Sequence, residues 1–100
     1  MIKVVEGYKV KPRANIRDTF IKLRTNAIQF PGFISAENLI SDKDASIAVF
    51  LSTWNAVENW RAWEISSIRQ ELCRQIESLL EEKPKVSIYR LVPTYWQSTT

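Results

Sequence analysis

One hundred residues carrying a formal net charge of +3, with 45% hydrophobic and 25% charged residues, describe one small globular domain, too rich in apolar residues to be disordered. No apolar run approaches the roughly 20 residues that cross a bilayer, and no signal-peptide pattern opens the chain, so the expectation is a cytoplasmic protein without a membrane span. A single cysteine, Cys73, and no histidine exclude an internal disulfide framework and a Cys/His zinc site, and remove the commonest general base and haem ligand.

No metal and no cofactor are therefore expected. Basic residues concentrate early, from Lys3 to Arg24, but no recognisable module or interleaved exposed aromatics accompany them. They read as solvated faces, and no nucleic-acid partner is expected.

The first stretch, Met1–Lys11, has the period of a strand. Ile2, Val4, Tyr8 and Val10 share one face, and the same alternation places Glu6 among them. Gly7 interrupts the other face, and Pro12 ends the strand. From about Arg13 to Gln29 the period becomes helical, with Ile16, Phe20, Leu23 and Ala27 on one stripe. Pro31-Gly32 breaks the chain, since proline cannot continue a helix and glycine permits a turn.

Phe33–Ile40 and Ser46–Trp54 read as two strands joined by the polar turn SDKDAS, an antiparallel hairpin. Asn55 and Glu58 have the spacing of a capping box for a short helix over about Ala56–Glu64. A second helix, about Ser66–Glu82, sets Ile65, Ile68, Leu72, Ile76 and Leu79 on an apolar side and Arg69, Glu71, Arg74, Glu77 and Glu81 on a charged one. After Pro84, Val86–Val92 is a fourth strand, with Val86, Ile88 and Arg90 facing one way and Ser87, Tyr89 and Leu91 the other. Residues 1–93 thus form the domain. Residues 94–100 are a tail whose Tyr95 and Trp96 are expected to pack on a partner chain.

The order β-α-β-β-α-α-β is the split β-α-β arrangement of the α+β ferredoxin-like fold, a four-stranded antiparallel sheet with helices on one face. The third strand is apolar on both sides, with Ile47, Val49 and Leu51 opposite Ala48, Phe50 and Trp54. An antiparallel sheet with one wet face alternates more cleanly. The expectation is a homodimer packed through the sheet face, a dimeric α+β barrel. Trp54, Trp60 and Trp63 crowd where the third strand meets the helices, which marks either a deep core or the wall of a small-molecule pocket.

The segments FPGFISAENLISDKD, the strand ending in Trp54, NAVENWRAW and SSIRQEL together resemble the antibiotic biosynthesis monooxygenase family. The resemblance covers nearly all of Met1 to Val92. It implies a dimer with an apolar pocket between sheet and helices in each protomer. Some members oxygenate quinols or aromatic polyketides without metal or flavin; others degrade haem. Haem-degrading relatives use an asparagine, a tryptophan and a histidine, whose positions here hold Gly7, Trp60 and Gln70, so haem degradation of that kind is disfavoured. Polyketide-oxidising relatives use a tryptophan, matched by Trp54, an asparagine, replaced by Phe50, and a later aromatic residue, here Trp60.

Oxygenation without a cofactor requires a substrate anion that can reduce triplet oxygen, together with a dry site that stabilises negative charge. The residues assigned to that chemistry are Trp54, Trp60, Glu6 and Arg90. Glu6 is the favoured base over Glu37 and Glu64, and Arg90 and the indole N–H groups serve the anion. Tyr8, Asn38, Phe50, Trp63, Gln70 and Tyr89 are assigned to substrate binding. A purely structural alternative pairs Glu6 with Arg90 across neighbouring strands. Two functional readings follow: a monooxygenase acting on a quinol or aromatic polyphenol, and a non-catalytic dimer that binds or senses a small aromatic ligand in the same pocket.

Overall fold

A computed structural model describes residues 1–93. Strand β1 (Ile2–Lys9) leads to helix α1 (Arg17–Ala27), the hairpin of β2 (Phe33–Ile40) and β3 (Ile47–Trp54), helices α2 (Val57–Glu64) and α3 (Ser67–Glu77), and strand β4 (Lys85–Arg90). All pairings are antiparallel and the sheet order is β2-β3-β1-β4. This is the expected α+β ferredoxin-like architecture. The tail beyond residue 93, with Tyr95 and Trp96, lies outside the described residues.

Alternation along β1 sends Ile2, Val4, Glu6 and Tyr8 to the helix-covered face. Opposite them the register sets Trp54, Ser52, Phe50 and Ala48 of β3 and Arg90, Ile88 and Val86 of β4. The predicted stripe of α1 is borne out: Phe20, Leu23 and Ala27 are buried, and Ile16 closes the helix start. Phe20 bridges α1 to the sheet by tilted aromatic contacts to Tyr8 and Phe50, with centroids 5.3 and 5.8 Å apart. A bulge between Phe33 and Ser35 shifts the register of β2, so that Phe33 meets Trp54 edge to face at 5.3 Å while Ala36 is also buried.

Three local expectations are corrected. The N-cap of α2 is Ala56, without a side-chain cap. Asn55 instead donates its backbone N–H to the Gly32 carbonyl at 2.8 Å, tying the α2 entry to the turn before β2. The capped helix is α3, where the Ser66 hydroxyl accepts from the Arg69 backbone N–H at 3.3 Å. Helix α3 also ends at Glu77 rather than Glu82. The next residues are drawn to the end of β1: the Lys11 N–H donates to the Leu79 carbonyl, the Glu81 N–H to the Lys9 carbonyl, and Val10 bridges Leu80. Finally, Ile65 and Ile68 are exposed rather than part of the buried stripe.

Gly32 is constrained twice. Its φ is +84°, and a Cβ there would lie 2.2 Å from the Asn59 Cγ and 2.6 Å from its Cβ. Gly32→Ala should therefore destabilise the fold by about 1–3 kcal/mol in a urea titration; an unchanged midpoint would mean that this turn is not held as described.

Candidate active site

A cavity of about 610 Å³ opens between the helix side of β1 and β4 and the helix α3. Its inner end is polar, formed by Glu6, Tyr8 and Arg69; Cys73, Leu80, Pro84 and Val86 form walls, and Glu77, Glu81, Glu82 and Lys83 its charged rim. Glu6 reaches it because the strand alternation that buries Val4 and Tyr8 carries Glu6 with them, leaving it 2% exposed. A carboxylate that deep in apolar surroundings needs a partner. The partner is Arg69, whose Nη2 donates to Glu6 Oε1 at 2.5 Å. The Tyr8 hydroxyl donates to the same oxygen at 3.4 Å.

This pairing corrects two expectations. The sequence pattern sets Arg69 on the charged outer side of its helix, yet it turns inward. The spacing contained the signal: Arg69 stands three, four and seven residues before Leu72, Cys73 and Ile76, positions that share one helical face. The Glu6–Arg90 ion pair does not form. Arg90 stands opposite Ile2, four residues from Glu6 along β1, and is exposed.

The guanidinium of Arg69 is steadied from behind by the Trp60 ring, whose centroid is 5.6 Å from Arg69 Cζ. Arg61 approaches the same ring at 5.2 Å. Burial pushes the Glu6 carboxyl above its ordinary range, with Arg69 and the Tyr8 hydroxyl pulling back. Tyr8 is pushed well above the usual phenol range by burial and by the neighbouring carboxylate. Burial likewise raises the Cys73 thiol, with Arg69 opposing. For Arg69, burial favours deprotonation, but the attraction of Glu6 and its neighbours outweighs it and the guanidinium stays charged.

The other residues assigned from sequence fall elsewhere. Trp54, Trp60, Trp63 and Phe50 are closed into the core, none more than 1% exposed. None of them lines the cavity; Trp60 stands against Arg69 and Phe50 pairs across the sheet with Glu6. The Trp54 indole N–H donates to the Ser52 hydroxyl at 3.0 Å, and Trp63 meets Phe30 edge to face at 5.1 Å. Asn38 and Gln70 are exposed, and Tyr89 is 60% exposed on the open face of the sheet. Gly7 also lies on that open face. The cavity-lining residues are those one position earlier than the two matched on the family pattern: Glu6 beside Gly7, and Arg69 beside Gln70. Among the described residues, no three His, Cys, Asp or Glu side chains cluster as a metal site.

No protein-family model matches the sequence, and no curated protein matches it. Solved structures do. One described as an antibiotic biosynthesis monooxygenase superposes with a TM-score of 0.82 at 20% identity, over 93% of this chain and 100% of its own. The chain shares its fold. A second relative in fold, a putative antibiotic biosynthesis monooxygenase from Deinococcus radiodurans, gives 0.85 at 9% identity over 98% and 99%. A mutant of SnoaB, a cofactor-independent oxygenase from Streptomyces nogalater, gives 0.83 at 13% identity over 96% and 97%.

The raised Glu6 carboxyl has a definite sign for stability. Ionising it is harder in the folded chain than in the unfolded one, so its contribution is full below the ordinary value of 4.5 and is lost as pH rises through the higher folded value. The stability advantage of wild type over Glu6→Gln should shrink across that rise in denaturant titrations run at several pH values. A difference that grows with pH would reverse the assignment.

Proposed function

We propose that the protein is a cofactor-independent monooxygenase acting on a quinol or aromatic polyphenol, with Glu6 as its base. The observation that carries the reading is the Glu6–Arg69–Tyr8 group at the inner end of a cavity walled by Cys73, Leu80, Pro84 and Val86 and rimmed by charged side chains. A base works best when its pKa lies near the operating pH, and burial raises Glu6 in that direction. The fold shared with SnoaB, described as a cofactor-independent oxygenase, adds support.

Glu6 accepts a proton from the substrate, and Arg69 and the Tyr8 hydroxyl stabilise the resulting carbanion or phenolate. The anion passes one electron to oxygen, and the substrate radical and superoxide combine into a peroxide. The proton held by Glu6 returns to the distal peroxide oxygen. Loss of the remaining substrate hydrogen as a proton, with cleavage of the O–O bond, leaves a carbonyl and releases water. One oxygen atom enters the substrate, and the substrate supplies all the electrons. The buried tryptophans take a supporting role: Trp60 holds the Arg69 guanidinium, and Trp54 and Trp63 keep the inner end dry.

The open sheet face is proposed as a homodimer contact. Tyr89, Leu91, Leu39 and Ile47 are 60, 55, 42 and 39% exposed there, around the half-buried Val5, Val49 and Leu51. Light scattering at micromolar concentration should report about twice the mass of one chain; a clean monomer would remove this contact.

Oxygen uptake by metal-stripped protein with a panel of reduced quinols and polyphenols tests the chemistry. Uptake should exceed autoxidation and fall by about 10²-fold or more in Glu6→Gln, mainly in kcat. Uptake at the autoxidation rate across the panel would leave a ligand-binding protein instead. Full activity in the variant would remove Glu6 from its role.

A further inference from the structure

The chain pairs with β1 before β4 begins. Val10 bridges Leu80, flanked by the Lys11 N–H donating to the Leu79 carbonyl and the Glu81 N–H donating to the Lys9 carbonyl, both at 2.9 Å. The next pair along the same edge is Gly7 with Lys85. From Val10 to Gly7 is three steps along β1, whereas from Leu80 to Lys85 is five, so two residues are surplus to the sheet. Counting back from Lys85, Pro84 falls opposite Tyr8, and the surplus pair is Glu82–Lys83. Both are exposed, and their backbone N–H groups donate to no backbone carbonyl among the described residues. An even number of extra residues preserves the alternation of faces, so Leu80 and Val86 both stay on the helix side, as two of the cavity walls.

A continuous strand is open to this sequence. Without Glu82 and Lys83, Glu81 and Lys85 would keep Lys9 and Gly7 as partners, and Pro84 would sit opposite Tyr8. That position pairs without ladder hydrogen bonds, as Val10 and Leu80 do, so the missing proline N–H would not be felt there. The proline ring would lie on the helix side between Leu80 and Val86, over the ground that the cavity occupies beside Tyr8. The chain leaves the sheet where staying in it would close the cavity. Bulges of this kind concentrate beside functional sites.

We infer that the two-residue arch Glu82–Lys83 is the doorway of the cavity, and that its length decides what reaches Tyr8 and Glu6. The inference rests on the proposed site and adds where its ligand enters and what limits the ligand's width. Charge does not make the selection. Lys11 and Arg13 share a groove with Glu81, and Lys9 and Lys85 share one with Glu82, so both signs border the arch. An uncharged planar ring suits such an opening, since it gives up no tightly held hydration shell in passing.

Cys73 reports on the doorway without any substrate, because it is the only cysteine and stands in the cavity wall. Its labelling by N-ethylmaleimide, an uncharged reagent, should slow by about tenfold or more when Glu82 and Lys83 are deleted. The deletion variant should unfold at an unchanged or higher urea concentration, since its loop is shorter and its ladder complete. Inserting a Ser-Gly pair between Glu82 and Lys83 should speed labelling. Glu82→Ala/Lys83→Ala, which keeps the length, should label as wild type does.

Labelling of the deletion variant at the wild-type rate, a deletion variant that does not fold, or slow labelling of the double alanine variant would each overturn the inference. Oxygen uptake by the deletion variant at the wild-type rate would sink the doorway and leave the oxygenase reading standing. The expected labelling pattern with no uptake by any variant, wild type included, would do the reverse.

Discussion

The ion pair of Glu6 and Arg69 is the constraint on which the rest of the site depends. A buried pair of this kind is a poor source of stability, because desolvation of both ions offsets their attraction. It persists here because the fold supplies what the pair lacks. The Tyr8 hydroxyl donates to the same carboxylate oxygen, and the face of Trp60 lies behind the guanidinium. Removing either ion alone would strand the other in the core, so the two side chains form one unit. Their pairing also joins β1, one of the two inner strands of the sheet, to the helix that closes the cavity.

The tryptophans are best understood through that pair. Trp54, Trp60 and Trp63 occupy the volume between the sheet and α2, and their burial is nearly complete. Trp60 backs the Arg69 guanidinium, while Trp54 and Trp63 pack edge to face on Phe33 and Phe30. A ring that never touches a ligand can still govern the chemistry by setting the dielectric around a charge. The candidate site thus divides into a polar group, Glu6, Tyr8 and Arg69, and buried aromatic side chains behind it.

The two faces of the sheet divide the work in a similar way. The helix-covered face holds the core and the cavity, while the open face carries Tyr89, Leu91, Leu39 and Ile47 at its surface. Gly7 belongs to the open face, opposite Val49 and Lys85. Its neighbour Glu6 belongs to the cavity. A shift of one residue along β1 would exchange them and destroy both faces together, so the register of this strand positions the site and shapes the open surface at once.

The order of elements, the stripe of α1, the hairpin and the apolar character of both sheet faces were legible in the sequence because they rest on periodicity, which is a local property. The placement of Glu6 among Ile2, Val4 and Tyr8 followed from the same alternation. Its partner did not, because pairing depends on which helix crosses above the strand, a long-range fact that no spacing reports. Arg90, on a neighbouring strand, was a reasonable partner on topology alone, but the register sets it four residues away along β1, opposite Ile2. Arg69 looked like surface charge because arginine on an amphipathic helix usually faces solvent, although its spacing from Leu72 and Ile76 placed it on the inner stripe. The end of α3 was likewise decided in three dimensions, where the backbone near Leu80 pairs with β1. Sequence by itself determined the elements and their buried faces; only the packing of α3 over β1 determined which charges meet, because burial and proximity are properties of the assembled chain.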